Sequence, residues 1–192
     1  MSKVQIIVAS TRPGRVGPSV ARWIETAAKE HGGFADVELI DLLTVNLPFM
    51  DEPHAPAEHR YVHAHTKEWS ATISGADAFV FVTPEYNGGF NAQLKNAIDY
   101  LFTEWRHKPV GLVGYGFTAG GARATQMLKS VVSAVGMTPV DGPHFASVHH
   151  LLDDNRELRP AAPAPAIAAR MFDDLRRLSD ALKPLRQERG LE

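Results

Sequence analysis

The stretch Ala78-Phe79-Val80-Phe81-Val82-Thr83 is apolar at every position but the last, and Pro84-Glu85-Tyr86-Asn87-Gly88-Gly89-Phe90-Asn91 follows it directly. A strand covered on one face alternates apolar with polar residues, whereas a strand covered on both faces reads as an unbroken apolar run. Residues 78–83 therefore predict a central strand of a parallel sheet. The Gly-rich segment behind it turns the chain into a helix, with Leu94, Ala97, Ile98, Leu101 and Phe102 on one face and Asn91 as its predicted cap.

The same alternation extends in both directions. Upstream, Val4 to Ala9 reads as a buried strand, Gly17-Pro18 as a helix start, and Val20, Ile24, Ala27 and Ala28 as the buried face of that helix. His31-Gly32-Gly33 ends it, and Val37 to Ile40 predicts a shorter strand closed by Asp41. Leu43 to Pro56 reads as an irregular rim loop, and Ala57 to Gly75 as helix. Downstream, Val110 to Tyr115 predicts a fourth strand and Thr138-Pro139-Val140 a weak fifth. A helix striped with Met127, Leu128, Val131, Val132 and Val135 lies between them, and a last helix carries Ile167, Met171, Leu175, Leu178 and Leu182. Strands alternating with helices imply an α/β fold, with a doubly wound parallel sheet covered on both sides. The Pro- and Ala-rich segment 159–166 reads as a connector, so residues 1–192 are expected to form one domain.

Composition narrows the function. The chain has 192 residues, 44% hydrophobic and 22% charged, as expected for a folded globular protein. A formal charge of -2 offers no basic surplus for nucleic acid. No apolar run is long enough for a bilayer, and the strand-like start lacks a signal peptide's pattern, so a cytoplasmic location with no membrane association is expected. The absence of cysteine excludes disulfides, thiolate catalysis and iron–sulfur clusters, so redox chemistry would need a bound cofactor. Nine histidines invite a metal reading. His59 and His63 are predicted four apart on one helix, with His54 and His65 near, but no Glu follows His59 to form a zinc-protease motif. Solvated histidines and no metal are the expectation.

In a doubly wound sheet, ligands bind beyond the carboxyl ends of the strands. Three loops there are unusual. Ser10-Thr11-Arg12-Pro13-Gly14-Arg15-Val16-Gly17-Pro18-Ser19 joins a strand to a helix N-terminus, where free N–H groups and the helix dipole favour an anion. It is neither a P-loop nor a G-x-G-x-x-G turn, so Asp41 is expected to cap a turn rather than bind a ribose. In Pro84–Asn91, adjacent glycines allow positive φ and close approach to a flat ligand, with Tyr86 and Asn87 beside it. The third loop, Tyr115-Gly116-Phe117-Thr118-Ala119-Gly120-Gly121-Ala122-Arg123, offers small residues that leave room for a ligand ring and Phe117 as an edge cover.

Ser-Thr-Arg-x-Gly-Arg after the first strand, with Pro84-Glu85-Tyr86-Asn87 after the third, resembles the NADPH-dependent FMN reductase family of the flavodoxin-like fold. The resemblance implies strand order 2-1-3-4-5 and FMN as cofactor, with NADPH or NADH as co-substrate. It implies that Ser10, Arg12, Arg15, Val16, Gly17 and Ser19 surround the FMN phosphate. Pro84, Glu85, Tyr86, Asn87 and Gly88 would line the isoalloxazine, and Tyr115, Gly116 and Thr118 would complete the pocket. Pro18 departs from an ideal phosphate turn, because it has no N–H to donate. The implied activity is ping-pong hydride transfer from NAD(P)H to FMN and then to a small-molecule acceptor such as a quinone, a flavin or an azo compound. No side chain need act as acid or base. Homodimers or homotetramers are implied, with Trp105 and Phe117 expected on the apolar surface that a partner covers. The alternative is a flavodoxin-like electron carrier without direct NAD(P)H reactivity, which the near-neutral charge and glycine-rich ring loops argue against.

Overall fold

A computed structural model describes residues 2–187. Five strands form one parallel sheet in the order β2-β1-β3-β4-β5. They are β1 (Lys3–Val8), β2 (Asp36–Asp41), β3 (Ala78–Pro84), β4 (Pro109–Tyr115) and β5 (Thr138–Phe145). The helices are α1 (Gly17–His31), α2 (Leu42–Val45), α3 (Ala64–Ser74), α4 (Ala92–Asp99), α5 (Ala122–Ala134) and α6 (Ala164–Gln187). This is the order the family resemblance implies.

Every residue of β3 is buried, because it lies at the centre with helices on both faces. Its alternate residues serve two cores. Ala78, Val80 and Val82 join Val4, Ile6, Ile24, Phe172 and Leu175 under α1 and α6. Phe79 and Phe81 face the opposite way and join Trp69, Ile73, Leu94, Ile98 and Trp105 under α3 and α4. Burying each phenylalanine stabilises the fold by about 1.5–3 kcal/mol. The period of two explains why an unbroken apolar run is needed there.

Three expectations change. The helix predicted over 57–75 begins only at Ala64. Before it, Pro56–Glu58 forms a single 3-10 turn and His59 takes φ 53°, which breaks helical continuity. His59 and His63 therefore share no helix face. His63 Nε2 lies 3.2 Å from the Asp51 carbonyl and His65 Nε2 3.0 Å from the Asp51 carboxylate, so these side chains tie down the rim loop. Trp105 is fully buried, with its indole N–H donating to Ile98 O, and offers nothing to a partner. The fifth strand is longer than Thr138–Val140, running to Phe145 with an irregular register beside Leu112 to Gly114.

β1 sits between β2 and β3, so the chain leaves β1 in one direction and returns on its other side. The loops after β1 and β3 thus diverge at the sheet's carboxyl edge and leave a crevice. No described helix is long and apolar enough to cross a membrane.

Candidate functional site

A cleft of about 140 Å³ opens at this switch point. Ser10, Arg12, Arg15 and Val16 line it from the first loop, Pro84, Glu85 and Tyr86 from the second, and Tyr115 and Gly116 from the third. Nine of the fourteen residues predicted for the cofactor are thereby brought together. Phe117, Val148 and His149 complete the wall. Phe117 was expected at an edge; Val148 and His149 arrive on the turn behind β5, where the His149-His150 pair stands out in the sequence as a candidate for the pocket mouth but Val148 does not. A larger cavity of about 240 Å³ lies among Thr11, Leu42, Leu47, Phe49 and Asn96. Its lining holds no cation, and its Asn96 amide is spent on Met50 N–H and Pro48 O.

The first loop presents a helix start. Val16 takes the N-cap position of α1 with no side-chain cap, and the Ser19 and Val20 N–H groups both bond to Val16 O. Among the described residues, no acceptor is bonded to the N–H of Val16 or Gly17. Those two donors and the positive end of the helix dipole lie together at the start of α1. Arg12 is exposed, and no carboxylate among the described residues pairs with it.

Arg15 behaves differently. Both of its terminal nitrogens donate to the Asp41 carboxylate, and one also donates to Ser10 O. Burial raises the Asp41 pKa, but the Arg15 hydrogen bonds, the Leu43 N–H and attraction to Arg15 outweigh this and hold the carboxyl below its usual range. Asp41 also caps α2, which agrees with the turn role expected for it. Arg15 thus lines the cleft while its charge is already compensated, and Arg12 is the cation left for a ligand.

The second loop is built by turn chemistry. Tyr86 and Gly89 exchange backbone hydrogen bonds of 2.9 and 3.0 Å, with Asn87 at φ 52° and Gly88 at φ 82° between them. Two consecutive positive φ angles mark a type I′ turn, for which Asn-Gly is the preferred pair. Asn87 and Gly88 therefore shape the loop, and neither lines the cleft. Glu85 ties this loop to the third: its carboxylate accepts from the Arg123 N–H in the first turn of α5 at 3.1 Å and from the Arg123 guanidinium at 3.3 Å. Tyr86 reaches the other way, its hydroxyl 3.0 Å from Ser10 Oγ. Asn91 stands at the N-cap of α4 but does not cap it; its amide donates to Ala9 O and binds the β1 and β3 loops together.

Gly17, Ser19 and Thr118 also lie outside the cleft lining. Ser19 is turned toward Arg22, which donates to its hydroxyl. Gly17 borders the site from behind, where a Cβ would come within 2.8 Å of the Tyr115 hydroxyl. Gly120 and Gly121 lie outside the lining and serve backbone packing, since a Cβ there would strike the backbone of Ala146 and Tyr115.

The site pairs an uncompensated cation and a free helix start at one end with a rigid, hydrogen-bonded loop at the other. On this geometry the protein is a doubly wound, flavodoxin-like α/β protein with a cleft at its switch point. The chain belongs to the NADPH-dependent FMN reductase family, whose pattern matches residues 2–151. It is 44% identical to an NAD(P)H-dependent FMN reductase of Schizosaccharomyces pombe, over 70% of this chain and 68% of that protein. It is 35% identical to one of Saccharomyces cerevisiae, over 73% of this chain and 78% of that protein. The fold matches a flavoenzyme NAD(P)H:(acceptor) oxidoreductase from Paracoccus denitrificans with a TM-score of 0.68 and 20% identity, covering 96% of this chain and 98% of the other.

Proposed function

We propose that residues 1–192 form one FMN-binding domain that works as an NAD(P)H-dependent oxidoreductase. It passes reducing equivalents by a ping-pong route to a small acceptor such as a quinone, a flavin or an azo compound. The observation that carries this reading is the cleft itself. The N–H groups of Val16 and Gly17 and the Arg12 guanidinium, all without a partner among the described residues, fit a phosphate dianion together with the α1 dipole. When bound, FMN supplies the hydride chemistry, and the protein supplies binding and orientation. The Glu85 and Asn91 ties hold the ring-side loop in place, so that the bound heterocycle meets a fixed backbone. Family membership and the FMN reductases among the relatives support the same activity.

We propose a homodimer or homotetramer for the assembly, and a cytoplasmic location, where NAD(P)H is available.

Anaerobic addition of NADPH or NADH to the flavin-loaded protein tests the activity. Either nucleotide is expected to bleach the flavin without a partner protein, and a quinone to restore the yellow form. Steady-state rates should show parallel-line, ping-pong kinetics. If neither nucleotide reduces the flavin while one-electron donors do, the chain is an electron carrier instead.

A further inference from the structure

The rim loop behind α2 holds a phenyl ring out in solvent while its backbone is fixed on both sides. Phe49 is 82% exposed. The Asn96 amide donates to Pro48 O at 2.7 Å and accepts from the Met50 N–H at 3.0 Å. The Tyr100 hydroxyl lies 3.1 Å from Pro48 O and 3.2 Å from Phe49 O. An exposed phenylalanine is ordinary by itself. Here α4 and the residue behind it fix the main chain of one, and the ring edges a cavity.

That cavity, of about 240 Å³, has apolar walls in Leu42, Leu47 and Ala97, and no ionisable side chain lines it. Among the described residues, nothing is bonded to the Thr11 hydroxyl or the Asn46 amide, and Gln93 uses only its oxygen, which accepts from Asn91 at 3.0 Å. Free amides meet the donor and acceptor edge of a heterocycle, and a phenyl face stacks on its ring. The lining therefore fits a flat, uncharged base. Its volume is below the about 300–1,000 Å³ of whole small-molecule sites, which suits one end of a longer ligand.

The other end has its place next door. Thr11 lines the cavity, while Ser10 and Arg12 on either side of it line the cleft. Leu42 of the cavity follows Asp41, whose carboxylate holds the cleft residue Arg15. The β1 loop is thus a common wall, and a ligand with two separate rings can lay one on each side of it. A flavin or a quinone has one ring system; a nicotinamide dinucleotide has two.

We propose that this cavity takes the adenine of the dinucleotide co-substrate, with Phe49 as the stacking face and Asn46 and Gln93 at the edge of the base. The proposal rests on the NAD(P)H reading above and adds where the non-reacting half of that molecule is held. Binding energy from that remote half helps to orient the nicotinamide in the cleft.

Phe49→Ala removes the stacking face at an exposed position, and Leu47→Trp fills the cavity. ADP-ribose, which keeps the adenine half and lacks nicotinamide, is titrated calorimetrically into the full chain with and without FMN. The wild type is expected to bind it, and both variants to bind it about fivefold or more weakly, the loss for one stacked base. In the flavin-loaded protein, kcat/KM for NADPH should fall by a similar factor. Reduced nicotinamide mononucleotide, which has no adenine, should reduce variants and wild type equally well, and KM for a quinone should be unchanged. ADP-ribose that binds the variants as tightly as the wild type, or does not bind the wild type, would overturn the assignment. So would an equal loss for the mononucleotide, or a raised KM for the quinone alone, which would make the cavity an acceptor site. A lower light-scattering mass of Phe49→Ala would make the ring a subunit contact, and lower melting temperatures of both variants would make the effect structural; either overturns the assignment. A chain that binds no flavin but binds ADP-ribose through Phe49 overturns the FMN reading and keeps this site, whereas flavin reduction by NADPH that is indifferent to both variants overturns this site alone.

Discussion

Two arginines in one loop carry different tasks, and their partners decide which. Arg15 is held by Asp41 and by Ser10 O, so its charge is compensated before any ligand arrives. Arg12 lines the cleft with no carboxylate beside it among the described residues. A hydrogen bond to a charged group contributes about 1.5–3 kcal/mol. Arg12→Met is therefore expected to weaken FMN by about ten- to a hundredfold while leaving riboflavin almost unaffected. Isothermal titration with both flavins checks this, and equal losses would mean that Arg12 supports the fold. From the sequence the two arginines look alike; the Asp41 contact that separates them joins positions 26 residues apart.

At the scale of elements, the site depends on ties between loops rather than on any single loop. Arg15 and Asp41 pin the β1 loop to the end of β2, Asn91 pins it to the start of α4, and Glu85 pins the β3 loop to α5. The Asp41 carboxyl titrates below its usual range in the folded chain. A lowered folded pKa means that this pair stabilises the fold above the unfolded carboxylate pKa, near 3.9, and that the gain is lost as pH falls through the folded value. Asp41→Asn leaves Arg15 with neutral acceptors only, the Asn amide oxygen and Ser10 O, and is expected to cost about 1–3 kcal/mol at neutral pH. In urea melts, the gap between variant and wild type should close below about pH 4. A gap that persists undiminished at low pH would show that the ion pair is not its source. The helix predicted over 57–75 failed at this same scale, because Asp51 and Glu52 hold the 61–65 segment through Val62 N–H, His63 N–H and His65, contacts no periodicity records.

At the scale of the whole molecule, the exposed apolar side chains concern assembly. Phe117 is 77% exposed and Phe49 82%, with Met127 and Leu43 also largely uncovered. Single exposed apolar residues are ordinary, but Phe117 stands at the mouth of the cleft, where a partner could shelter both. We expect at least a dimer by light scattering at micromolar concentration. A monomer that still holds flavin tightly would refute it.

The sequence by itself determined the α/β class, the central strand and the three loops that matter. Those features are local: an apolar run needs two covered faces, and a polar Gly-rich segment between strand and helix can only be a turn at the sheet's edge. The turn itself was misplaced by one residue: positive φ was expected at the adjacent glycines, whereas Asn87 and Gly88 take it and Gly89 does not. Only the tertiary structure decided which groups remain free. Asp41 takes Arg15, Arg22 takes Ser19, and Tyr86 takes Ser10. Val148 and His149 reach the cleft from behind β5. Binding depends on what is left unsatisfied, and that is known only once every hydrogen bond across the fold has been assigned.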